Sequence, residues 1–446
     1  MSDLQIYLTL ITFTAVIILI AFDLIDMAVA GLLGVCILLV LGILEDDDLV
    51  AAFRTAGAPV ALLFGGMVVA LVLAKTGIFE HVGNLYLRAT GGSGKRFLLL
   101  LVLMVAVTCS VLPNATTVIL LAPVIIRVAK ELKLDFVGPM ILTAIVSNSA
   151  GMLTLVGDPA TFLVGSSIGM TFGHYLQKVS LGGLLAVMMV IPLLPLLMPQ
   201  IWRARCTLPT KKVKVSLEHP WFVAIALSVL GLMIVLFFIG ERLPTPIVPP
   251  AVAIIGATLA LLVIYEVRIE PLDNVFRDVD WKTLIFLSAI FCLVQAFSKT
   301  GLLQGMAINF YNWFGANFVL VALGLLGGIG AMSCLLANIP VVAASLVITK
   351  GYFVVAGAVP DAAIAAGFTD WPAATLPVFV AMMFGGTLGG NATFIGASAN
   401  IVSVGICQKH GQHVSFGRFV RYGLPITLAQ LAISAIYVTG LAWLSL

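Results

Sequence analysis

The chain has 446 residues, enough for about three soluble domains by length alone. Hydrophobic residues make up 61% of it and charged residues only 10%, whereas soluble domains run near 25% charged. A soluble protein could not hide so much apolar surface, which excludes an aqueous enzyme and leaves a lipid bilayer as the solvent; a net charge of +3 is too small to suggest a nucleic-acid partner.

A membrane-crossing helix needs about 20 apolar residues. In chain order, spans are predicted near 4–21, 27–43, 58–74, 137–168, 180–198, 221–240, 249–264, 281–298, 372–406 and 423–445. The first has no basic stretch before it and no small-residue cleavage site, so it reads as a span and not as a signal peptide. Two runs are too long for one straight helix. Residues 137–168 are interrupted by Ser147-Asn148-Ser149-Ala150-Gly151 and Gly157-Asp158-Pro159, and residues 372–406 by Gly385-Gly386, Gly389-Gly390-Asn391 and Gly396-Ala397-Ser398-Ala399-Asn400. Two shorter pairs, 98–112 with 115–129 and 318–336 with 341–349, meet at Leu112-Pro113-Asn114-Ala115-Thr116-Thr117 and at Ala337-Asn338-Ile339-Pro340. Proline and amide residues inside an apolar run end a helix, so each pair is expected to form a re-entrant hairpin with a polar tip.

The positive-inside rule orients these elements. With the basic loop Arg203-Arg205-Lys211-Lys212-Lys214 placed in the cytoplasm, only Arg54, Lys178, Arg242, Lys299 and Lys350 fall in outer segments; the other 18 of the 23 basic residues lie inside. Ten spans, two hairpins and both termini outside satisfy that pattern. The chain also repeats itself. Ala74-Lys75-Thr76-Gly77-Ile78 recurs 224 residues later as Ser298-Lys299-Thr300-Gly301-Leu302, and the same displacement carries Asn114 onto Asn338. Thr154-Leu155-Val156-Gly157-Asp158-Pro159 matches Thr393-Phe394-Ile395-Gly396-Ala397-Ser398, displaced by 239. Residues 1–198 and 221–446 are therefore expected to be two repeats of five spans joined by a basic cytoplasmic linker, 199–220. Five is odd, so the second copy is expected to enter the membrane upside down. An all-α membrane protein of this kind is the architecture of a secondary transporter, with its site near the midplane between the halves.

Irregular backbone at membrane depth needs protein or water to satisfy its polar groups. The tips at Asn114 and Asn338 and the breaks around Asn148–Asp158 and Asn391–Asn400 supply helix-end N–H and C=O groups, which can hold oxygen ligands and cations. Asn, Ser and Thr extend that set without charge. Asp158 is the one carboxylate well inside a predicted span. A charged acid is costly there and functional by default, which makes it a proton carrier; a Gly-Asp-Pro turn can equally use it to cap a half-helix. The tip asparagines can bind solute or simply suit the turn, and Thr116 and Thr117 can bind solute or bond back to the helix. The six cysteines are widely spaced and read as free thiols; Cys109 and Cys334, at nearly matched places, read as small packing residues. No metal-ligand set, nucleophile–base set or nucleotide-binding loop is present, so no cofactor is expected.

Leu112–Thr117 with Ala122-Pro123-Val124, Ser147-Asn148 to Asp158-Pro159, and above all Gly389-Gly390-Asn391 through Asn400 with Gln408-Lys409-His410-Gly411 resemble the motifs of the ion transporter superfamily. The most similar branch holds the ArsB-type arsenical pump permeases and the melanosomal P protein; citrate and dicarboxylate carriers are more distant members. The resemblance implies an inverted-repeat, often dimeric carrier with a scaffold and a moving part. Carried over residue by residue, it points to Asn114, Thr116, Asn148, Gly157, Asp158, Asn338, Pro340, Asn391, Thr393, Ser398 and Asn400, with Thr117 beside them. P-protein-like members carry an acid next to the tip asparagine, where this chain has Pro113 and Ala337. That departure leaves Asp158 as the coupling group and favours a proton over Na⁺. Arsenite or antimonite efflux in exchange for protons, across a prokaryotic inner membrane, is the expected function. Its rivals are a cation-coupled dicarboxylate or anion carrier and a Na⁺/H⁺ antiporter. A soluble ATPase partner would dock on inner loops such as 199–217.

Overall fold

Lipid cannot hydrogen-bond a backbone, so apolar runs this long must satisfy their N–H and C=O groups internally, as helices. A computed structural model describes residues 3–21, 24–110, 112–206, 220–268, 271–364 and 368–445. Lys211, Lys212 and Lys214 of the linker lie outside the described residues. The first half contains α1 (Asp3–Ala21), α2 (Met27–Val40), α3 (Asp46–Lys75), α4 (Ile78–Thr90), α5 (Gly94–Cys109), α6 (Asn114–Glu131), α7 (Val137–Gly151) and α8 (Pro159–Ser167), then the short α9 (Phe172–Lys178), α10 (Ser180–Met188), α11 (Leu194–Leu197) and α12 (Pro199–Arg203). The second contains α13 (Pro220–Ile239), α14 (Pro249–Val267), α15 (Leu272–Asp278), α16 (Trp281–Thr300), α17 (Leu302–Phe314), α18 (Phe318–Ser333), α19 (Asn338–Val355), α20 (Leu376–Gly389), α21 (Ser398–Lys409) and α22 (Phe416–Ser445). No strand occurs among the described residues.

The repeat holds at the level of helix ends. The helices α4, α5 and α6 begin and end 224 residues before α17, α18 and α19, and α8 and α21 start 239 residues apart. Gly77 and Gly301, in the twice-written Lys-Thr-Gly motif, stand at φ 71° and 76° between α3 and α4 and between α16 and α17. Only glycine reaches that left-handed region without strain, which is why the motif recurs. Among the described residues, seven helices are long and apolar enough to cross a bilayer alone. They include α19, which the sequence reading makes a hairpin arm, while α1, α2, α7 and α20 are shorter apolar helices. The helix α3 starts well before the predicted 58, with Asp46, Asp47 and Asp48 in its first turn, where the helix dipole favours acids. Beyond the short α9, α12 and α15, two longer helices, α4 and then α17, are absent from the hydropathy reading. The second of them meets α18 at a bend of 114°.

Two packing groups result. The helices α1, α2, α3, α13, α14 and α16 pack on one another, α3 lying along α14 and α16 along α2 and α3. Lys75, ending α3, pairs with Asp278 just ahead of α16 at 3.2 Å, and Lys299, near the end of α16, pairs with Asp48 at the start of α3 at 2.6 Å. The equivalent helices α3 and α16 are therefore antiparallel. In the other group α5 packs on α7 and α18 on α20, while α6 packs on α21 and α19 on α8, so each hairpin touches the broken helix of the other half. Lys350, placed in an outer segment by the charge pattern, is buried in α19. Its Nζ donates to the Ser167 carbonyl at 3.2 Å, at the carbonyl end of α8, and sits 5.5 Å from the Trp371 ring centroid.

Candidate functional site

Each half fastens one hairpin tip to one helix break. In the first, Thr154 donates its hydroxyl to the Ser110 carbonyl and Cys109 Sγ donates to the Ser147 carbonyl at 2.9 Å. In the second, Thr393 donates to the Cys334 carbonyl and Ser333 Oγ to the Gly386 carbonyl at 2.6 Å. These are the same two bonds under the two displacements. The counterpart of Cys109 is thus Ser333, and that of Cys334 is Ser110, where the sequence reading set the two cysteines side by side. Thr393 serves as a latch on the break and does not line the solute cavity.

Between the tips lies a cavity of about 350 Å³ lined by Asn114, Thr116, Asn148, Asp158, Asn338 and Ser398, with an apolar wall from Leu63, Met67 and Leu71 of α3. Six of the twelve predicted site residues therefore meet at one place. Asp158, 1% exposed, caps α8: its Oδ2 accepts from the Thr161 N–H at 3.1 Å and from Thr387 Oγ1 at 3.2 Å, and its Oδ1 accepts from Asn114 Nδ2 at 3.1 Å. Asp158 is thus a helix cap whose carboxylate also lines the cavity. Asn114 Oδ1 in turn lies 3.1 Å from Cys109 Sγ. Among the described residues no lysine or arginine lines the cavity, so the carboxylate is held by neutral dipoles. The cavity extends to Asp278, Asp280 and Thr283, which the sequence reading missed. Asp280 accepts from the Thr283 N–H at 3.2 Å as the cap of α16, and an acid directly before a predicted span was the available signal.

Behind the cavity wall Asn148 Nδ2 donates to Asn391 Oδ1 at 3.0 Å and to Asn400 Oδ1 at 2.9 Å. Asn400 Nδ2 donates to the Gly390 and Thr393 carbonyls, both at 2.8 Å. Asn391 Nδ2 donates to Ser149 Oγ and to Gln430 Oε1, each at 3.0 Å, and Gln430 Nε2 reaches the Ala186 carbonyl at 3.0 Å. Asn391 and Asn400 thus hold the unwound segment of the second half against the first half. Gln430, a lone amide inside the predicted span 423–445, escaped the sequence reading although intramembrane polarity marks it. Gln430→Leu leaves the Asn391 amide and Ser149 short of partners, each costing about 1–3 kcal/mol. A melting curve of the detergent-purified variant is expected to shift down accordingly, and an unchanged midpoint would show the network to be dispensable. Of the remaining predicted residues, Gly157 lies in the first break against Gly151 and Cys109. Thr117 is fully buried away from the cavity, and Pro340 lines a separate apolar groove with Phe13, Met332 and Leu336.

Comparison with known proteins places the chain among membrane transporters. The chain is 40% identical to an uncharacterized transporter of Synechocystis over 99% of its own length and 98% of that protein's. It is 31% identical to an uncharacterized transporter of Mycobacterium tuberculosis over 95% and 96% of the two chains. The mouse P protein shares 27% identity over 84% of this chain and 53% of its own. Among solved structures, the Alcanivorax borkumensis YdaH transporter, described as having an unusual topology, superimposes with a TM-score of 0.61 at 13% identity, covering 90% of each chain; the likeness is one of fold. The model of the citrate transporter family matches residues 17–369. The chain belongs to that family of multi-pass membrane transporters.

Proposed function

We propose that this transporter is a proton-coupled secondary carrier that works by alternating access, and that its cargo is arsenite or antimonite expelled in exchange for protons. One observation carries the reading: a cavity whose amide and hydroxyl groups surround a single deep carboxylate, with no basic side chain in its lining among the described residues. Undissociated arsenite is a neutral polyol, so a cradle of neutral donors and acceptors satisfies it without a counter-charge. Asp158 takes a proton when the cavity is open to one side and releases it on the other. Protonation adds an O–H donor to a carboxylate that otherwise only accepts, which changes the balance among the three groups that donate to it. One of these, Thr387, belongs to the second half, which transmits the event across the repeat. The antiparallel setting of α3 and α16 supports inverted halves. The cavity reaches Asp278, which pairs with Lys75, and Asp280, near the basic segments that the charge pattern assigns to the cytoplasm, which supports reading this conformation as open to that side.

Arsenite flux into everted membrane vesicles, with and without an imposed pH gradient, tests the reading. Accumulation is expected only with the gradient and in the direction opposite to proton flow, and flux indifferent to the gradient defeats the coupling. A second reading, a cation-coupled carrier of di- or tricarboxylates, is favoured by the family's own description and by the start of α21, which no side chain caps. Thermal stabilisation by citrate or succinate and none by arsenite would select it.

A further inference from the structure

A basic residue in an outer segment runs against the positive-inside rule. Of those that the charge pattern leaves there, Lys299 pairs with Asp48 and Glu45, and Lys350 binds the end of α8. Lys178 is held differently. Its carbonyl accepts from Tyr437 Oη at 2.9 Å, but its ammonium has no partner among the described residues. It lines a second cavity of about 290 Å³ together with His174, Thr369, Trp371, Leu441 and Leu444, none of which belongs to the cavity at the hairpin tips. His174 and Lys178 stand four residues apart on α9 and so share one face of it. No acid lines this cavity among the described residues, and Asp370, beside Trp371 in the chain, is exposed and not part of the lining. Arg242 adds positive charge nearby, since a Cβ on Gly173 would lie 3.9 Å from its Nη2. Glu241, next to it, accepts from the Phe172 N–H.

The cavity is preformed. Thr171 caps α9 by accepting from the His174 N–H at 3.1 Å. Gly169, at φ 68°, packs so closely that a Cβ on it would overlap the Thr369 side chain. The Trp371 ring is flanked by Phe379 and Phe368, with centroids 5.0 and 5.2 Å away, and its Nε1 donates to the Phe368 carbonyl at 3.1 Å. The depth of the cavity follows from its neighbours. One candidate span, Ser180–Leu197, begins just after Lys178, and another, Phe416–Leu444, ends at a lining residue. The cavity therefore lies where hydrocarbon gives way to headgroups, the level at which tryptophan is enriched. Trp443 and Leu444 are 77% and 86% exposed, which turns its apolar rim toward acyl chains.

We propose that this cavity binds the phosphate of an anionic phospholipid of the outer leaflet, its oxygens on the Lys178 ammonium and the His174 ring and its upper acyl carbons along Trp371, Leu441 and Leu444. Basic pockets between membrane helices bind such headgroups, and a cavity near the lower end of ligand-site volumes admits a headgroup but no whole lipid. The occupied pocket ties α9 to α20 and α22. Because α9 follows the half-helix that Asp158 caps, the lipid braces the outer end of that element. This site is independent of the cargo and of the coupling ion.

Thermal unfolding of the delipidated full-length protein in detergent, titrated with phosphatidylglycerol, is the test. Wild type is expected to melt higher as this lipid is added, with phosphatidylcholine weaker and water-soluble glycerol phosphate without effect at the same concentration. Lys178→Gln is expected to need about fivefold more phosphatidylglycerol for half the effect, the worth of one lysine at an anionic surface. His174→Ala should shift the titration in the same direction. Each titration is referred to the variant's own lipid-free melting temperature, so a change in intrinsic stability does not enter. Arg203→Gln, at an exposed residue of the basic linker, is expected to titrate as wild type. A Lys178→Gln protein that titrates as wild type overturns the proposal, and so does an equal loss in Arg203→Gln, which reduces the effect to general attraction by basic residues. Glycerol phosphate as effective as the lipid overturns it by revealing a free-anion site, and phosphatidylcholine as effective as phosphatidylglycerol by revealing no selection for charge.

Discussion

Asp158→Asn is expected to abolish the stimulation of transport by a pH gradient while leaving the protein folded. Asparagine caps a helix nearly as well as aspartate, so the start of α8 keeps its bond to the Thr161 N–H. The amide retains one acceptor oxygen of the two, and the Asn114 side chain can reverse to meet the new donor. The cost in stability is then about 1 kcal/mol, the net worth of one hydrogen bond. An amide cannot carry a proton between the two faces, so gradient-driven flux is expected to fall at least about tenfold, equivalent to some 1.4 kcal/mol in the coupled step. Asp158→Ala should show the same loss of coupling and a further drop of about 1 kcal/mol from the missing cap. Vesicle flux and a melting curve on the same preparations separate the two effects. A D158N protein that still responds to the gradient would place the proton elsewhere, Lys350 being the other buried ionisable group named above.

Gly157→Ala and Gly396→Ala are expected to be equally severe, by the repeat. A Cβ on Gly157 would stand 2.5 Å from the Gly151 carbonyl oxygen and 2.8 Å from that of Cys109; one on Gly396 would stand 2.6 Å from the Ser333 carbonyl oxygen and 2.7 Å from the Gly390 Cα. The obstacles are backbone atoms at the end of a helix and at a hairpin tip, which cannot swing aside as a side chain can. Overpacking of this kind costs about 1–3 kcal/mol. Relief requires moving the tip that carries Asn114 or Asn338, so solute binding should fall with stability. Melting temperature together with solute-induced stabilisation checks both consequences. A Gly396→Ala protein that behaves as wild type would mean the second break is not fastened as the first is.

The sequence by itself determined the membrane class, most helix positions, the two displacements of the repeat and the four polar breaks at Asn114, Asn148–Asp158, Asn338 and Asn391–Asn400, though not the break within 180–198 or the bend between α17 and α18. Each of those depends on local properties: apolar length, the rigid ring of Pro113 or Pro159, the left-handed turn at Gly77 and Gly301, and amides at Asn114 and Asn338 that begin the second arm of each hairpin. Asp158 was legible for the same reason, being an acid with apolar neighbours on both sides. Only the tertiary structure decided which polar group meets which. The bond from Thr387 to Asp158 joins the two halves, as do those from Asn148 to Asn391 and Asn400. Nothing local records that Thr393 faces a carbonyl while Ser398 faces the cavity. Spacing along one helix says which residues share its face, but where that face points is set by the helices packed against it. Pro340, two residues into α19 and so on nearly the opposite face, looks into an apolar groove although Asn338 looks into the site. Gln430 and Lys350 were visible as polar residues in apolar surroundings, but their first-half partners, Ser149 with the Ala186 carbonyl and the end of α8, are brought to them only when the two halves close on each other.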